Sequence, residues 1–406
     1  MDILVTGPRT QIRDAHLQIT GSKSESNRLL VLQALFPTVK LLNVSDSDDV
    51  FAMKEGLSAG GSLIDVHHAG TTMRFLTAYY ASRPYAQVTL TGSFRMKERP
   101  IKILVEALRE LGAQIIYLVK EGYPPLQING CELKGSEVAL PADVSSQYIS
   151  ALLLIAPSLP NGLTLSLTGE ITSRPYIEMT LQLLSRMGIP YSFKGNKIKV
   201  AACEKVDKFE MAVESDWSSA SYYYSIIALS EAGSSIELAS YREDSLQGDR
   251  AVASIYEALG VRTEFGKGSI RLTKQDGKLP SGIKLDLRDT PDLAQTLAVT
   301  CFGLGIGCEL TGLHTLRIKE TDRLEALRVE LGKLGADISI TRDALHIKPS
   351  LHSGAEVSIA TYHDHRMAMA FAPLAILYPI RIEEAEVVSK SYPGYWNDLE
   401  KLGFRV

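Results

Sequence analysis

Several stretches of the sequence place cations and hydroxyls at the start of apolar segments, an arrangement suited to phosphate and carboxylate groups. Gly21-Ser22-Lys23-Ser24-Glu25-Ser26-Asn27-Arg28 comes directly before an apolar run. Backbone N–H groups at such a helix start attract phosphate, and Lys23 and Arg28 add charge. The segment is not a P-loop, because Lys23 follows Ser22 rather than Gly and the upstream Gly of that motif is missing. The densest segment is Arg317-Ile318-Lys319-Glu320-Thr321-Asp322-Arg323. Thr321 is expected to cap a helix through Leu331, with Lys319 and Glu320 at its mouth and Arg323 in its first turn. Asp364-His365-Arg366-Met367 repeats the theme; His363 and His365 lack the third ligand a metal needs, which leaves Arg366 as the working residue.

Weaker signals surround these. Ala69-Gly70-Thr71-Thr72-Met73-Arg74 sets a glycine at a helix start, and Arg95-Met96-Lys97-Glu98-Arg99-Pro100 puts three cations before a proline. Ser145-Ser146-Gln147 and Thr172-Ser173-Arg174-Pro175-Tyr176 offer neutral donors for oxyanions, and Lys390 stands alone in Val388-Ser389-Lys390-Ser391-Tyr392-Pro393. Ordinary capping or a solvated ion pair also produces any one of them. Their weight is collective.

The elements that must position these residues recur. A helix-like segment, an apolar residue with Gly, and then a β-rich run is seen at Leu111-Gly112-Ala113, Met187-Gly188-Ile189, Leu259-Gly260-Val261, Leu334-Gly335-Ala336 and Leu402-Gly403-Phe404, with a weaker copy at Ala59-Gly60. Each Gly suits the left-handed position that closes a helix. A second helix type alternates with these and opens on a small polar residue: Ser24, Thr71, Ser145, Ser218, Asp292 and Asp364 mark six starts. These helices are apolar all round and are expected to be buried. Six units, each with two helices and several strands, give an α+β architecture of repeated βαββαβ character, grouped as two domains of three units.

Composition excludes several classes. The chain has 43 Lys and Arg against 47 Asp and Glu, a formal charge of −4, which does not fit a polybasic nucleic-acid wrapper. Its apolar runs, near Ile149 to Leu159, Leu293 to Gly305 and Met367 to Leu377, fall short of the roughly 18 to 20 residues that span a bilayer. The start, Met1-Asp2-Ile3-Leu4-Val5, lacks a basic n-region and a long apolar h-region, so a cytoplasmic protein is expected. Cys131, Cys203, Cys301 and Cys308 show no CxxC spacing, and the last two are expected as reduced, buried thiols.

The segments named above, with Asp216-Trp217-Ser218-Ser219-Ala220-Ser221-Tyr222 added, resemble in register and order the 5-enolpyruvylshikimate-3-phosphate synthase family, the 3-phosphoshikimate 1-carboxyvinyltransferases of the enolpyruvyl transferase type. The likeness runs from Gly21 to Lys390. It implies two inside-out α/β barrel domains, residues 1–19 with 215–406 and residues 20–214, with the active site in a cleft between them. It implies transfer of the carboxyvinyl group of phosphoenolpyruvate to the 5-hydroxyl of shikimate 3-phosphate, with phosphate released, in the shikimate pathway to chorismate and the aromatic amino acids. No cofactor and no metal are implied.

By the same resemblance, Lys23, Ser24, Arg28, Ser145, Ser146, Gln147, Ser173, Asp292 and Lys319 hold shikimate 3-phosphate, and Tyr176 packs on its ring. Lys23, Gly70, Arg99, Gln147, Arg323, Arg366 and Lys390 hold phosphoenolpyruvate. The substrates together bring roughly five to six negative charges; Lys23, Arg28, Arg99, Lys319, Arg323, Arg366 and Lys390 answer them. Asp292 is the expected base and Glu320 the acid, with Lys23 as a rival proton carrier. Glu320 stands between Lys319 and Arg323, which favours its carboxylate form and must be opposed on binding.

Departures from the family pattern are His68, where Asn is common, Phe75, where Pro commonly follows Met-Arg, Thr315, where Asn is frequent, and a short stretch between Asp48 and Gly70, as though a hairpin were missing. Gly70 implies inhibition by glyphosate. The nearest rival, the UDP-N-acetylglucosamine enolpyruvyl transferases, typically carries a Cys or Asp on a mobile loop, and no Cys lies near Ser93 to Lys97. A non-catalytic module on this fold would tolerate loss of Asp292 and Glu320, and both are present. Nothing in the sequence demands a partner, so a monomer is expected, without nucleic acid or membrane.

Overall fold

Two kinds of helix alternate along the chain. The computed structural model describes residues 1–59, 62–143, 145–354 and 357–406; Gly60 of the weak repeat copy and Val144 lie outside them. Its helices are α1 (Lys23–Leu35), α2 (Asp48–Ser58), α3 (Gly70–Ala81), α4 (Lys102–Glu110), α5 (Ser146–Ile155) and α6 (Arg174–Arg186), then α7 (Trp217–Leu229), α8 (Val252–Glu257), α9 (Ala294–Gly303), α10 (Arg323–Lys333), α11 (His365–Phe371) and α12 (Tyr395–Lys401). The odd-numbered helices are the buried kind: α11 buries all its residues and α7 all except Ser218. The even-numbered ones are one-sided; α4 buries only Leu104, Val105, Ala107 and Leu108, a single stripe. After α4, α6, α8, α10 and α12, Gly112, Gly188, Gly260, Gly335 and Gly403 take φ of 108°, 80°, 79°, 101° and 90°, so the recurring Gly does close each helix in the left-handed region.

The caps differ from the sequence expectation by small shifts. Ser22, not Ser24, caps α1, its Oγ accepting from Glu25 N at 3.4 Å. Asp216, not Ser218, caps α7, accepting from Ser219 N at 2.9 Å. Asp322, not Thr321, caps α10, accepting from Glu325 N at 3.1 Å, and the helix runs on to Lys333. In each case the residue with extended or non-helical backbone is the one whose oxygen reaches the free N–H. α3 opens at Gly70 with no side-chain cap, and Asp292 sits in the 3₁₀ turn Pro291–Leu293 ahead of α9 without capping it. Ser145 and Asp364 cap α5 and α11.

The chain folds into two compact units, Gly21–Val213 and Met1–Thr20 with Glu214–Val406. In the first, strands Leu63–Asp65, Gln87–Thr91, Leu126–Asn129 and Gln114–Tyr117 lie side by side in that order, and Glu137–Pro141, Leu163–Thr168, Lys197–Val200 and Tyr191–Lys194 repeat the arrangement. The first pair of each sheet is parallel, with Ile64 opposite Leu90, and the others are antiparallel. A parallel pair needs a crossover helix, which α3 and α5 supply, and the outer helix then leads into a hairpin. The α+β fold is thus built of repeated βαββαβ-like units whose observed order is strand, helix, strand, helix, hairpin. The third sheet of this unit holds only Phe209–Ala212 parallel to Val39–Leu42 among the described residues, because α2 is followed directly by Leu63–Asp65 of the next sheet. That is the short stretch noted between Asp48 and Gly70.

The other unit carries the same four-strand order twice: Ala15–Gln18, Ser235–Ala239, Ser269–Lys274, Val261–Phe265, and Gly282–Asp286, Gly307–Thr311, Leu345–Ile347, Ile338–Ile340. Its third sheet joins Ser358–Ile359 and Ile380–Ile382 to Ile3–Val5, and Thr6 bridges to Arg405. Its core is rich in tyrosine, and the hydroxyls are partnered: Tyr223 and Tyr392 lie 2.7 Å apart and Tyr392 donates to Asp398 at 2.5 Å. Cys301 and Cys308 are buried free thiols. Among the described residues no helix is long and apolar enough to cross a membrane.

Two glycines separate backbone strain from packing. A Cβ on Gly188 or on Gly332 would meet nothing within 4 Å, but Gly188 has φ +80° while Gly332 lies within α10. Gly188→Ala is expected to destabilise by about 1 kcal/mol and Gly332→Ala to stabilise by about 0.5–1 kcal/mol in urea unfolding. Equal shifts of the two midpoints would contradict the backbone argument.

Candidate active site

Arg323, the first residue of α10, is 2% exposed and surrounded by carboxylates. Its Nε donates to Asp364 Oδ2 at 2.7 Å, its Nη2 to Glu320 Oε2 at 2.8 Å and Asp364 Oδ1 at 3.3 Å, and its Nη1 to Asp292 Oδ1 at 3.0 Å. Arg366, on the first turn of α11, donates through Nη2 to Asp292 Oδ2 at 3.0 Å and through Nη1 to the Asp292 carbonyl at 3.3 Å. Lys319 Nζ lies 3.7 Å from Asp292 Oδ1, and Lys390 Nζ, at the end of the 3₁₀ turn Ala385–Lys390, lies 3.2 Å from Glu320 Oε1. Residues distant in sequence meet because the mouths of α9, α10 and α11 carry them. Four cations here share three carboxylates.

These charges set the protonation states. Burial pushes the Asp292 carboxyl up, but Arg366, Lys319 and Arg323 outweigh it and hold Asp292 well below the usual carboxylate range. Asp249, in the 3₁₀ turn Gly248–Ala251, behaves oppositely: burial, reinforced by the charge of Asp292, pushes it up to about 7. Burial disfavours the charged form of Arg323, and Asp364, Glu320 and Asp292 more than compensate, raising its pKa. The arrangement can hold anions and can move a proton, provided an incoming anion takes the cations away from Asp292 and Glu320.

The unit Gly21–Val213 gathers a second set. Lys23 opens α1 and pairs with Asp49 at 3.2 Å. Gln147 Nε2 donates to Thr71 Oγ1 at 3.1 Å, tying α5 to α3. Ser173 holds φ 53° just ahead of α6. Arg99 lies against Gly70 so closely that a Cβ there would fall 2.8 Å from Arg99 Cζ, and Arg99 Nε is buried without a hydrogen-bond partner among the described residues. Arg74 and Tyr148 both donate to the Pro100 carbonyl, at 2.9 and 2.6 Å, and so fasten the Arg95–Pro100 segment. Arg28 is buried deeper than a surface helix start suggests. It donates to Thr180 Oγ1 at 2.8 Å, Ser24 O at 2.8 Å, Ser150 Oγ at 3.0 Å and Tyr176 O at 3.3 Å, between the rings of Phe75 and Tyr176. Burial lowers it to about 10, with Tyr176 and Glu25 opposing, so it stays charged at neutral pH.

Comparison with known proteins follows the same lines. Residues 58–399 match the model of the family described as EPSP synthase (3-phosphoshikimate 1-carboxyvinyltransferase). The 3-phosphoshikimate 1-carboxyvinyltransferase of Bacteroides fragilis strain YCH46 is 50% identical over 410 residues, covering 100% of this chain and 99% of the relative. This chain belongs to the EPSP synthase family. The protein of the same description from Actinobacillus pleuropneumoniae serotype 5b is 34% identical with both chains fully covered. The solved EPSP synthase of Acinetobacter baumannii shares the fold, with a TM-score of 0.77 at 22% identity over 100% of this chain and 99% of that one.

The departing side chains Phe75, His68 and Thr315 each have a definite place. Phe75 is fully buried and puts its ring 5.5 Å from Arg28 Cζ, so it serves the Arg28 pocket. His68 Nδ1 lies 2.9 Å from Ser93 Oγ on the exposed side. Thr315 Oγ1 is buried with no hydrogen-bond partner among the described residues. Sequence reasoning passed over Asp249 and Asp49, and took Asp364 and Ser218 only as helix starts. An acid run such as Asp46-Ser47-Asp48-Asp49 is a weak signal, and Asp249 gave none.

The opposed carboxyls predict opposed pH effects. Asp292 contributes stability above about pH 4 that is lost as the pH falls below it. Asp249 keeps its proton in the folded protein up to about 7 and loses it near pH 4 when unfolded, so stability declines as pH rises between those values. In urea unfolding at pH 5 and pH 8, Asp249→Asn should lose less stability than the wild type. An equal loss would show Asp249 ionised throughout.

Proposed function

We propose that this chain transfers the carboxyvinyl group of phosphoenolpyruvate to the 5-hydroxyl of shikimate 3-phosphate and releases phosphate, in aromatic amino-acid biosynthesis. The observation that carries the mechanism is Asp292, one carboxylate held by Lys319, Arg323 and Arg366 at once. An acid so held is a poor base. When substrate anions take those cations, Asp292 loses its partners, its affinity for a proton rises, and it accepts the proton of the attacking hydroxyl. Glu320, freed in the same way from Arg323 and Lys390, takes up a proton and delivers it to the methylene carbon, which makes the neighbouring carbon electrophilic; the adduct then expels phosphate and returns a proton of the new methyl to Glu320, which restores the double bond. Lys23, paired with Asp49, is the alternative carrier.

The assignment of ligands is the one the family resemblance implies, and their chemistry agrees with it. Lys23, Ser24, Arg28, Ser145, Ser146, Gln147, Ser173, Asp292 and Lys319 serve shikimate 3-phosphate, with hydroxyls and amides for its oxygens and cations for its phosphate and carboxylate. Lys23, Gly70, Arg99, Gln147, Arg323, Arg366 and Lys390 serve phosphoenolpyruvate, arginine forks suiting its carboxylate. The buried, unpartnered Arg99 Nε supports an anion there. The reading includes an inside-out barrel for each unit, a cytoplasmic monomer, and glyphosate as a competitor of phosphoenolpyruvate.

Phosphate release should require both substrates together and should not occur with UDP-N-acetylglucosamine as acceptor; the reverse acceptor preference would replace this reading by the rival one. Glu320→Gln is expected to lower kcat by about 10²-fold or more with both substrates still bound in calorimetry. Undiminished turnover would pass the acid role to Lys23. Because a Cβ at Gly70 displaces Arg99, Gly70→Ala should raise the KM for phosphoenolpyruvate and weaken glyphosate inhibition together. Full activity of the unmodified enzyme at saturating glyphosate and low phosphoenolpyruvate would remove that competitor from the account.

A further inference from the structure

Ser218 is the one residue of α7 that is not buried, and its hydroxyl joins two groups of opposite charge. Its Oγ donates to Asp249 Oδ2 and accepts from Arg366 Nη2 at 3.3 Å. The same Nη2 lies 3.0 Å from Asp292 Oδ2. Asp249 is 3% exposed, and its Oδ1 is buried without a hydrogen-bond partner among the described residues. The segment before it is fastened to the start of α7. Gln247 Oε1 accepts from Trp217 N at 2.9 Å, Gln247 Nε2 donates to Ser215 O at 2.9 Å, and Ser245 Oγ donates to Glu214 Oε2 at 2.5 Å. A rigid buried acid therefore reaches the Arg366 guanidinium through a single hydroxyl.

We infer that Asp249 is a positioning residue which, acting through Ser218, fixes the orientation of Arg366 and so its hold on phosphoenolpyruvate. This rests on the reading above, in which Arg366 binds that substrate. Asp292 holds the guanidinium through its carbonyl and one carboxylate oxygen, and the Ser218 oxygen adds an acceptor on Nη2 that remains when substrate anions draw Arg366 away from the Asp292 carboxylate. The charged groups facing Asp249 are Asp292 and Asp216, which favour its proton, and Arg366, which disfavours it. With the proton in place the link is neutral. When Asp249 ionises, at about 7, a negative charge stands behind Arg366 and opposes a second anion.

The test is steady-state phosphate release by Ser218→Ala, Asp249→Ala, the double variant and Asp249→Asn between pH 6 and 8.5. Ser218→Ala and Asp249→Ala should each raise the KM for phosphoenolpyruvate about fivefold to tenfold, with the KM for shikimate 3-phosphate moved far less. The double variant should be no worse than Ser218→Ala alone, since both cut one chain. Asp249→Asn, whose carbonyl still accepts from Ser218, should restore the KM at pH 6. The wild-type KM divided by that of Asp249→Asn should then rise as pH passes through about 7. Equal losses for both substrates, additive single changes, or an asparagine variant that follows the wild-type pH profile would overturn the inference. If the wild type released no phosphate at all, the functional reading would fail while the link stayed testable. Calorimetric binding of inorganic phosphate should still weaken in Ser218→Ala and recover between Asp249→Ala and Asp249→Asn, and its failure to do so would overturn the link itself.

Discussion

A guanidinium withdrawn from water must find acceptors on every side, and Arg323 finds them in Asp364, Glu320 and Asp292. Removing any one would leave a buried N–H of the guanidinium without its acceptor, at a cost of about 1–3 kcal/mol. The demand fixes the surrounding geometry. The mouth of α10 must lie where the 3₁₀ turn carrying Asp292 and the cap of α11 can both reach it. Asp364 answers twice, receiving Arg323 and capping α11 at Arg366 N. One buried cation thus orients the helix mouths that bring Arg366 and Lys319 to the same place, and Lys390 joins them through Glu320.

The cluster is balanced against itself. Its acids and bases are partners of one another, so binding of anions is an exchange of partners, and proton affinity becomes a consequence of occupancy. In the proposed reaction the same cations are those the substrates claim, so the pairing that keeps Glu320 a carboxylate would end on binding.

What could be read from the sequence and what could not divide along a physical line. Helix closure by Gly112, Gly188, Gly260, Gly335 and Gly403 is a local backbone requirement, visible in single residues, and the all-round apolar character of α7, α9 and α11 is visible as composition. Caps were legible only to within a residue or two, since Thr321 and Asp322 are both good acceptors and backbone geometry chooses between them. The cations of the cluster around Asp292 could be named from their motifs. Asp249 could not be, because its standing depends on a hydroxyl contributed by another element. Nor could the depth of Arg28, whose partners Ser150 and Thr180 lie more than a hundred residues away. Phe75, an unexplained departure in one dimension, is an aromatic wall for that cation in three.

The pairing of Ile3–Val5 with Ile380–Ile382, and of Thr6 with Arg405, bears on how the molecule is made. Ala15–Gln18 likewise finds its neighbour, Ser235–Ala239, only after all of Gly21–Val213 has passed. On a ribosome the contiguous unit has every strand it needs long before the other does, and domains generally fold as they emerge. Ile3–Val5 must wait, unpaired, while nearly the whole chain is synthesised, and Ala15–Gln18 while a little more than half of it is. The early product would then be one folded body with a short sticky leader, and final closure would be the late capture of that leader by strands at the opposite end.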